Sequence, residues 1–217
     1  MSDSPAARVP ENASVVPAMS RFDSFTDADV ADLIAEYPLA WLCAAGGSAA
    51  AASLLPLLLE RDGAGRPTRL IGHMARRNPL FAALQADPRC LILFTGPQAY
   101  VSPETVGDLQ WGPTWNYAQL RVEGVTDFAI ADGETLEMLV TAMESERDEP
   151  WRIADMGPRY HKLAEAIVGF TIPIDRLEGR FKLGQDERPE TVRRILSDHP
   201  DAGLVRWMRR FNADRLS

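Results

Sequence analysis

The sequence predicts an α+β, mainly-β fold: an antiparallel barrel with flanking helices. Three observations point there. Short apolar runs rich in Leu, Ile and Val follow one another closely. DGAGRP (62–67) joins two of them as a hairpin turn. Helical patterns are inserted among or appended after the strands instead of alternating with them, which disfavours a wound parallel sheet.

The elements follow in order. Residues 1–20, rich in Ser, Ala, Pro and Val without a pattern, read as a flexible arm. TDADVADLIAEYP carries Thr26 and Asp29 in capping-box spacing, with Val30, Leu33, Ile34 and Tyr37 on one face, so a helix ends before Pro38. Strands are expected at 39–45, 52–60, 68–74 and 90–96. Pro56 inside the second implies an edge, a bulge or a kink toward a ligand. Asn78-Pro79 opens a helix through NPLFAALQA. GPQAYVSP reads as a loop at the barrel mouth, and 115–131 as one long strand or a bulged pair. GETLEMLVTAMESE and DMGPRYHKLAEAI read as helices. VGFTIPIDRLEGRFKL returns to strand with a turn near Leu177–Gly179, and 190–215 reads as one or two basic amphipathic helices.

Composition narrows the function. The chain has 217 residues, 46% hydrophobic and 25% charged, enough for a full core. A net charge of −8 argues against a general nucleic-acid surface. Residues 1–20 lack a signal-peptide core, and no apolar run reaches the ~20 residues of a membrane span, so a cytoplasmic protein is expected. Cys43 and Cys90 both lie in apolar strands and read as buried free thiols. Three histidines without a ligand-spaced partner give no metal site, and neither a nucleophile elbow nor a P-loop is present.

Two stretches carry the chemistry. GHMARRNP (72–79) sets His73, Arg76 and Arg77 between a strand end and the helix opened by Asn78. Bidentate arginine and unpaired amides at a helix start suit a phosphate, while a surface arginine pair bonded to acids would look the same. GPTWNY (112–117) alternates Thr114 and Asn116 with Trp115 and Tyr117, a polar face and an aromatic face, as a flat ring would need; aromatics filling a barrel core give the same pattern. RWMRRF (206–211) offers phosphate contacts or, alternatively, an amphipathic helix packing Trp207 and Phe211 on the barrel.

ASxLPLLLE, GHMARRNP, LILFxGPxAYVSP, GPTWNY and GFxIxIxRLEGRFKLxQ occur here in an order that resembles the PaiB-type family of FMN-binding proteins, often described as negative transcriptional regulators. The resemblance runs from about Arg21 to Arg188. It implies a split β-barrel of the pyridoxamine-phosphate-oxidase class over 21–188, with 189–217 as a helical extension. It also implies a homodimer with FMN in clefts between the subunits. Arg76, with His73, Arg77 and the Asn78 helix start, would hold the phosphate; Ser53, Thr114, Trp115 and Asn116 would line the ring. A flavin-dependent oxidoreductase or flavin-responsive protein is expected, a transcriptional regulator or cofactor-free binding module being the alternative. No catalytic side chain is assigned. The chain departs from the pattern at Leu54, where the family has histidine, and at Thr105-Val106, where it has Trp-Tyr.

Overall fold

The computed structural model describes residues 20–46 and 51–217, so the expected arm lies, but for Ser20, outside the described residues. Six strands form the barrel: β1 (Leu39–Ala44), β2 (Ala52–Arg61), β3 (Pro67–Ala75), β4 (Arg89–Val101), β5 (Thr114–Val125) and β6 (Ile167–Lys182). Every neighbouring pair is antiparallel, and the barrel closes in the order β1-β2-β3-β6-β5-β4. The helices are α1 (Asp27–Glu36), α2 (Pro79–Ala86), α3 (Pro103–Val106), α4 (Asp132–Glu144), α5 (Arg159–Ala166), α6 (Pro189–Asp198), α7 (Ala202–Phe211) and α8 (Ala213–Leu216). The fold class read from the sequence is the one observed.

Local chemistry accounts for the element ends. Thr26 and Asp29 close a capping box on α1, which buries Val30, Leu33 and Ile34. The β2–β3 hairpin turns on Asp62, whose Oδ1 accepts from the Ala64 and Arg66 amides at 2.9 and 3.0 Å. Gly65 supplies the positive φ of that turn, 83°.

Pro56 marks where β2 changes partner. Residues 52–56 pair with β1, and 57–61 pair with β3. The Leu57 amide donates to the Pro38 carbonyl at 2.9 Å, toward β1, so the nitrogen of Pro56 faces the other way, where β3 has not yet joined. Of the three readings of Pro56, the edge is the one observed.

Three expectations are corrected. β4 does not stop at Gly96 but runs to Val101 through a register shift between Thr95 and Gln98. β6 has no turn at Leu177–Gly179; it is paired with β5 from Ile174 to Lys182. The strand expected over 115–131 ends at Val125, beyond which Asp127 makes one isolated bridge to Thr171.

The C-terminal helices share the barrel's core. Val192, Ile195, Leu204, Trp207 and Met208 are buried with Phe94, Phe170 and Phe181 in one cluster. Phe211 stacks on Phe181 at 4.8 Å, 11° from parallel. Such contacts contribute about 0.5–1.5 kcal/mol beyond burial, so this end of the barrel is firmly plugged.

Candidate functional site

The cationic corner forms where β3 leaves the barrel. Asn78 is the N-cap of α2, and Pro79 takes the first helical position, as expected. The Asn78 amide side chain reaches back across the opening beside β2. Its Oδ1 and Nδ2 lie 3.1 and 3.0 Å from the Ser53 hydroxyl, while Oδ1 also accepts from the Leu80 amide at 3.0 Å. The structure thus brings Ser53 and Asn78 together, as partners of each other.

This cap overturns one part of the sequence argument. Free amides were expected at the start of α2 for a phosphate. Pro79 has none, Leu80 donates to Asn78 Oδ1, and Phe81 donates to the Asn78 carbonyl at 3.0 Å. The helix start therefore offers an anion no free amide at these three positions, and only side chains remain to meet one.

Three cationic or polar side chains stand near this helix start in the sequence. Arg76 is exposed, yet its Nε donates to the Glu165 carbonyl at 3.1 Å and its backbone amide to the Ala166 carbonyl at 3.0 Å. α5 therefore orients it. Arg77 is exposed and forms no ion pair with a described residue. His73 is half-buried, its Nδ1 buried without a hydrogen-bond partner, and burial pushes its pKa down, which keeps the ring neutral at pH 7. A buried orphan nitrogen near the end of β3, with two exposed guanidinium groups three and four residues further along the chain, suits a phosphate-bearing group such as that of FMN.

The aromatic stretch forms a second cluster. Trp115, 56% exposed, faces outward opposite Tyr100, 48% exposed, with the rings edge-to-face at 6.0 Å. The Lys182 ammonium donates to Thr114 Oγ1 and, at 3.0 Å, to the Trp115 carbonyl. Asn116 faces the other way. It is 1% exposed, with Nδ2 3.4 Å from Met208 Sδ and its Oδ1 unpartnered. Gln185 is consumed in the turn after β6, accepting from the Leu183 amide and donating to the Phe181 carbonyl.

The two clusters lie at opposite ends of the barrel. His73 pairs with Gly169 near the start of β6, whereas Tyr117, beside the rim, pairs with Lys182 at its end. At about 3.3 Å per residue that is on the order of 40 Å of strand. Between them, Leu39, Trp41, Leu54 and Leu93 form an exposed apolar face on β2, β1 and β4, with Trp41 opposite both Leu54 and Leu93. The departure at Leu54 thus enlarges an outer apolar face.

Other candidates resolve simply. Trp207 is buried and donates its Nε1 to Glu36 at 3.0 Å. Arg206 pairs with Glu36, and Arg210 with Asp29 and Asp32 at 2.7 and 2.6 Å, so most of the RWMRRF charge is neutralised by α1. Cys90 is buried, and Cys43, expected to be buried too, is half-exposed; both are free. Among the described residues no cluster suits a metal ion, and no helix is long and apolar enough to cross a membrane.

Residues 18–176 match the family model described as "Putative FMN-binding domain". The chain belongs to that family. The cofactor expected from the sequence, FMN, is the one the family is described by. Protease synthase and sporulation protein PAI 2 of Bacillus subtilis is 30% identical over 125 residues, 56% of this chain and 59% of that protein. The chain thus matches about three-fifths of that relative's length. Two solved structures share the fold. The FAD and heme binding protein of Mycobacterium smegmatis has a TM-score of 0.52 at 17% identity, over 73% of this chain and 72% of that one. A flavocytochrome of Azotobacter vinelandii has a TM-score of 0.51 at 19% identity, over 79% and 76%.

Sequence reasoning missed Tyr100 and Lys182 as neighbours of Trp115, and the Glu165 carbonyl as the brace on Arg76. Alternation along a single strand does not disclose which residue lies opposite on the next. Lys182 stands in the sequence only within the GRFKLxQ stretch that carries the family resemblance.

Proposed function

We propose that this protein is a flavin-dependent oxidoreductase, built as a homodimer that holds FMN between the corner of one copy and the rim of the other. The observation that carries the reading is the separation of the two clusters. Arg76, Arg77 and His73 stand at one end of β3 and β6, Thr114 and Trp115 at the other, with the apolar face around Trp41 between them. A two-fold axis through that face brings unlike ends together, because each copy presents both.

In this arrangement Arg76 and Arg77 bind the phosphate, and His73 gives or accepts one neutral hydrogen bond at Nδ1. Ser53 acts through Asn78, fixing where the corner sits. Thr114 borders the ring from the second copy with Trp115 beside it at the mouth of the cleft, whereas Asn116 supports the rim from beneath. Bound FMN supplies hydride or single-electron transfer; the protein supplies position and field. Regulation through nucleic acid has less support, since Arg206 and Arg210 are already paired.

The test is sedimentation with flavin titration of wild type and Trp41→Glu. The reading expects a wild-type dimer carrying one FMN per chain. It expects Trp41→Glu to be a folded monomer with FMN affinity reduced at least tenfold. A monomeric wild type that binds FMN fully would refute the shared site.

A further inference from the structure

The outer face of β4–β5–β6 carries several cations, and the acids around them are unevenly shared. Arg121 pairs with Glu123 at 2.6 Å and Glu178 at 3.5 Å, and Arg180 pairs with Asp23 at 3.2 Å. These pairs flank a cleft of about 660 Å³ that also includes Phe25 and Gln119. Its charges are internally compensated, so it has no preference for an anion. Lys182, on the same face beyond Arg180, is different. Its ammonium is held by two neutral oxygens, Thr114 Oγ1 and the Trp115 carbonyl, and has no carboxylate partner among the described residues.

Two neutral acceptors leave one of the three ammonium protons for a further acceptor and fix the direction from which it can be approached. The ammonium reaches the backbone carbonyl of Trp115, whose ring is exposed on the same rim with Tyr100. Trp115 is 56% exposed and its ring crosses that of Tyr100 at 62° instead of stacking on it, so indole surface is left for a planar group. An oriented, uncompensated cation next to an open aromatic face selects a ring and a negative charge in one molecule.

We propose that Trp115, Tyr100 and Lys182 form the docking site for the molecule brought to the flavin, and that its class is a small planar aromatic carboxylate. Trp115 and Tyr100 take the ring, and Lys182 takes the carboxylate. The inference rests on the reading above only for the flavin's position; the docking site itself belongs to one chain.

The experiment uses the full chain, with and without added FMN, and 1-naphthoate as the probe. Its neutral analogue 1-naphthamide and the non-aromatic cyclohexanecarboxylate are compared by ligand-observed NMR. Naphthoate is expected to bind at roughly millimolar strength, with naphthamide and cyclohexanecarboxylate each about tenfold weaker. Lys182→Met removes the preference for naphthoate over naphthamide, Lys182→Arg restores part of it, and Trp115→Ala weakens both aromatics. The affinity for FMN stays within about threefold in Lys182→Met, because the lysine bonds to Thr114 and Trp115 but makes no contact assigned to the cofactor itself. Equal binding of the three probes, or a preference that survives Lys182→Met, would overturn the proposal. So would a loss of FMN affinity in Lys182→Met, which would assign the lysine to the cofactor and leave the flavin reading standing. A wild type that binds naphthoate as expected but no FMN would instead remove the flavin reading alone.

Discussion

Replacing Asn78 with alanine severs two functions at once, and their sizes follow from the contacts. The cap on the Leu80 amide is worth about 1 kcal/mol. The bonding to the Ser53 hydroxyl contributes roughly another 1 kcal/mol. Asn78→Ala is therefore expected to cost about 2 kcal/mol, a drop in Tm of roughly 4–8 °C for a chain of this size. Ser53→Ala loses only the second part, about 1 kcal/mol. The informative assay is a double-mutant cycle by urea unfolding, because a direct bond predicts a coupling of about 1 kcal/mol between the two sites. Costs that add to within about 0.3 kcal/mol would refute the link across the barrel opening. Asn78→Asp completes the argument. It retains the cap, so the apo protein stays near wild-type stability, but sets a negative charge at the proposed phosphate site. FMN affinity should fall while riboflavin affinity does not.

Three more predictions concern single groups. Arg76→Ala should weaken FMN by about 10- to 150-fold and leave riboflavin unchanged in parallel titrations, since a charge-assisted bidentate contact is worth ~1.5–3 kcal/mol. Arg77→Ala should cost less, because Arg76 is already oriented by the Glu165 carbonyl and Arg77 must be ordered on binding. His73 has a depressed folded pKa, so its contribution is intact above the unfolded value of about 6.5 and is lost as pH falls below it, where the unfolded ring takes up the proton first. Urea midpoints measured from pH 7.5 to 5 should fall less steeply in His73→Gln. A bulky thiol reagent at pH 8 should label one cysteine of the native chain, Cys43; Cys90 is buried, its thiol pushed up to about 11, and should react only after unfolding. Labelling of native Cys43→Ser would count against this.

The barrel was legible because its strands are bounded by strong punctuation, such as Asp62–Arg66 and Asn78-Pro79. Two of the misread strand boundaries trace to glycine. Gly179 looked like a turn, but a side chain there would place its Cβ 2.7 Å from the Phe25 ring, so the residue makes room within a continuous strand. Gly96 looked like a strand end, and a Cβ there would meet Leu33 at 2.9 Å, the close approach of α1. Both glycines answer to packing partners distant in sequence, which a local pattern does not contain. The corner was legible in residue type, as Asn78 and Pro79 show. The spending of its helix amides was not, since that depends on where Asn78 turns its side chain.

The partner change at Pro56 bears on solubility as well as shape. Residues 52–56 of β2 face their open side without a strand partner among the described residues, and such an edge is a template for adding a strand from another molecule. Proline interrupts the template where it opens, because it offers no donor to an incoming chain. With Leu54, Leu55 and Leu57 around it, this segment would otherwise combine an open edge with a run of aliphatic side chains, the makings of a cross-β seed. Pro56 stands where a gatekeeper against self-association would be placed, and its replacement by a β-branched residue is expected to raise the protein's tendency to aggregate.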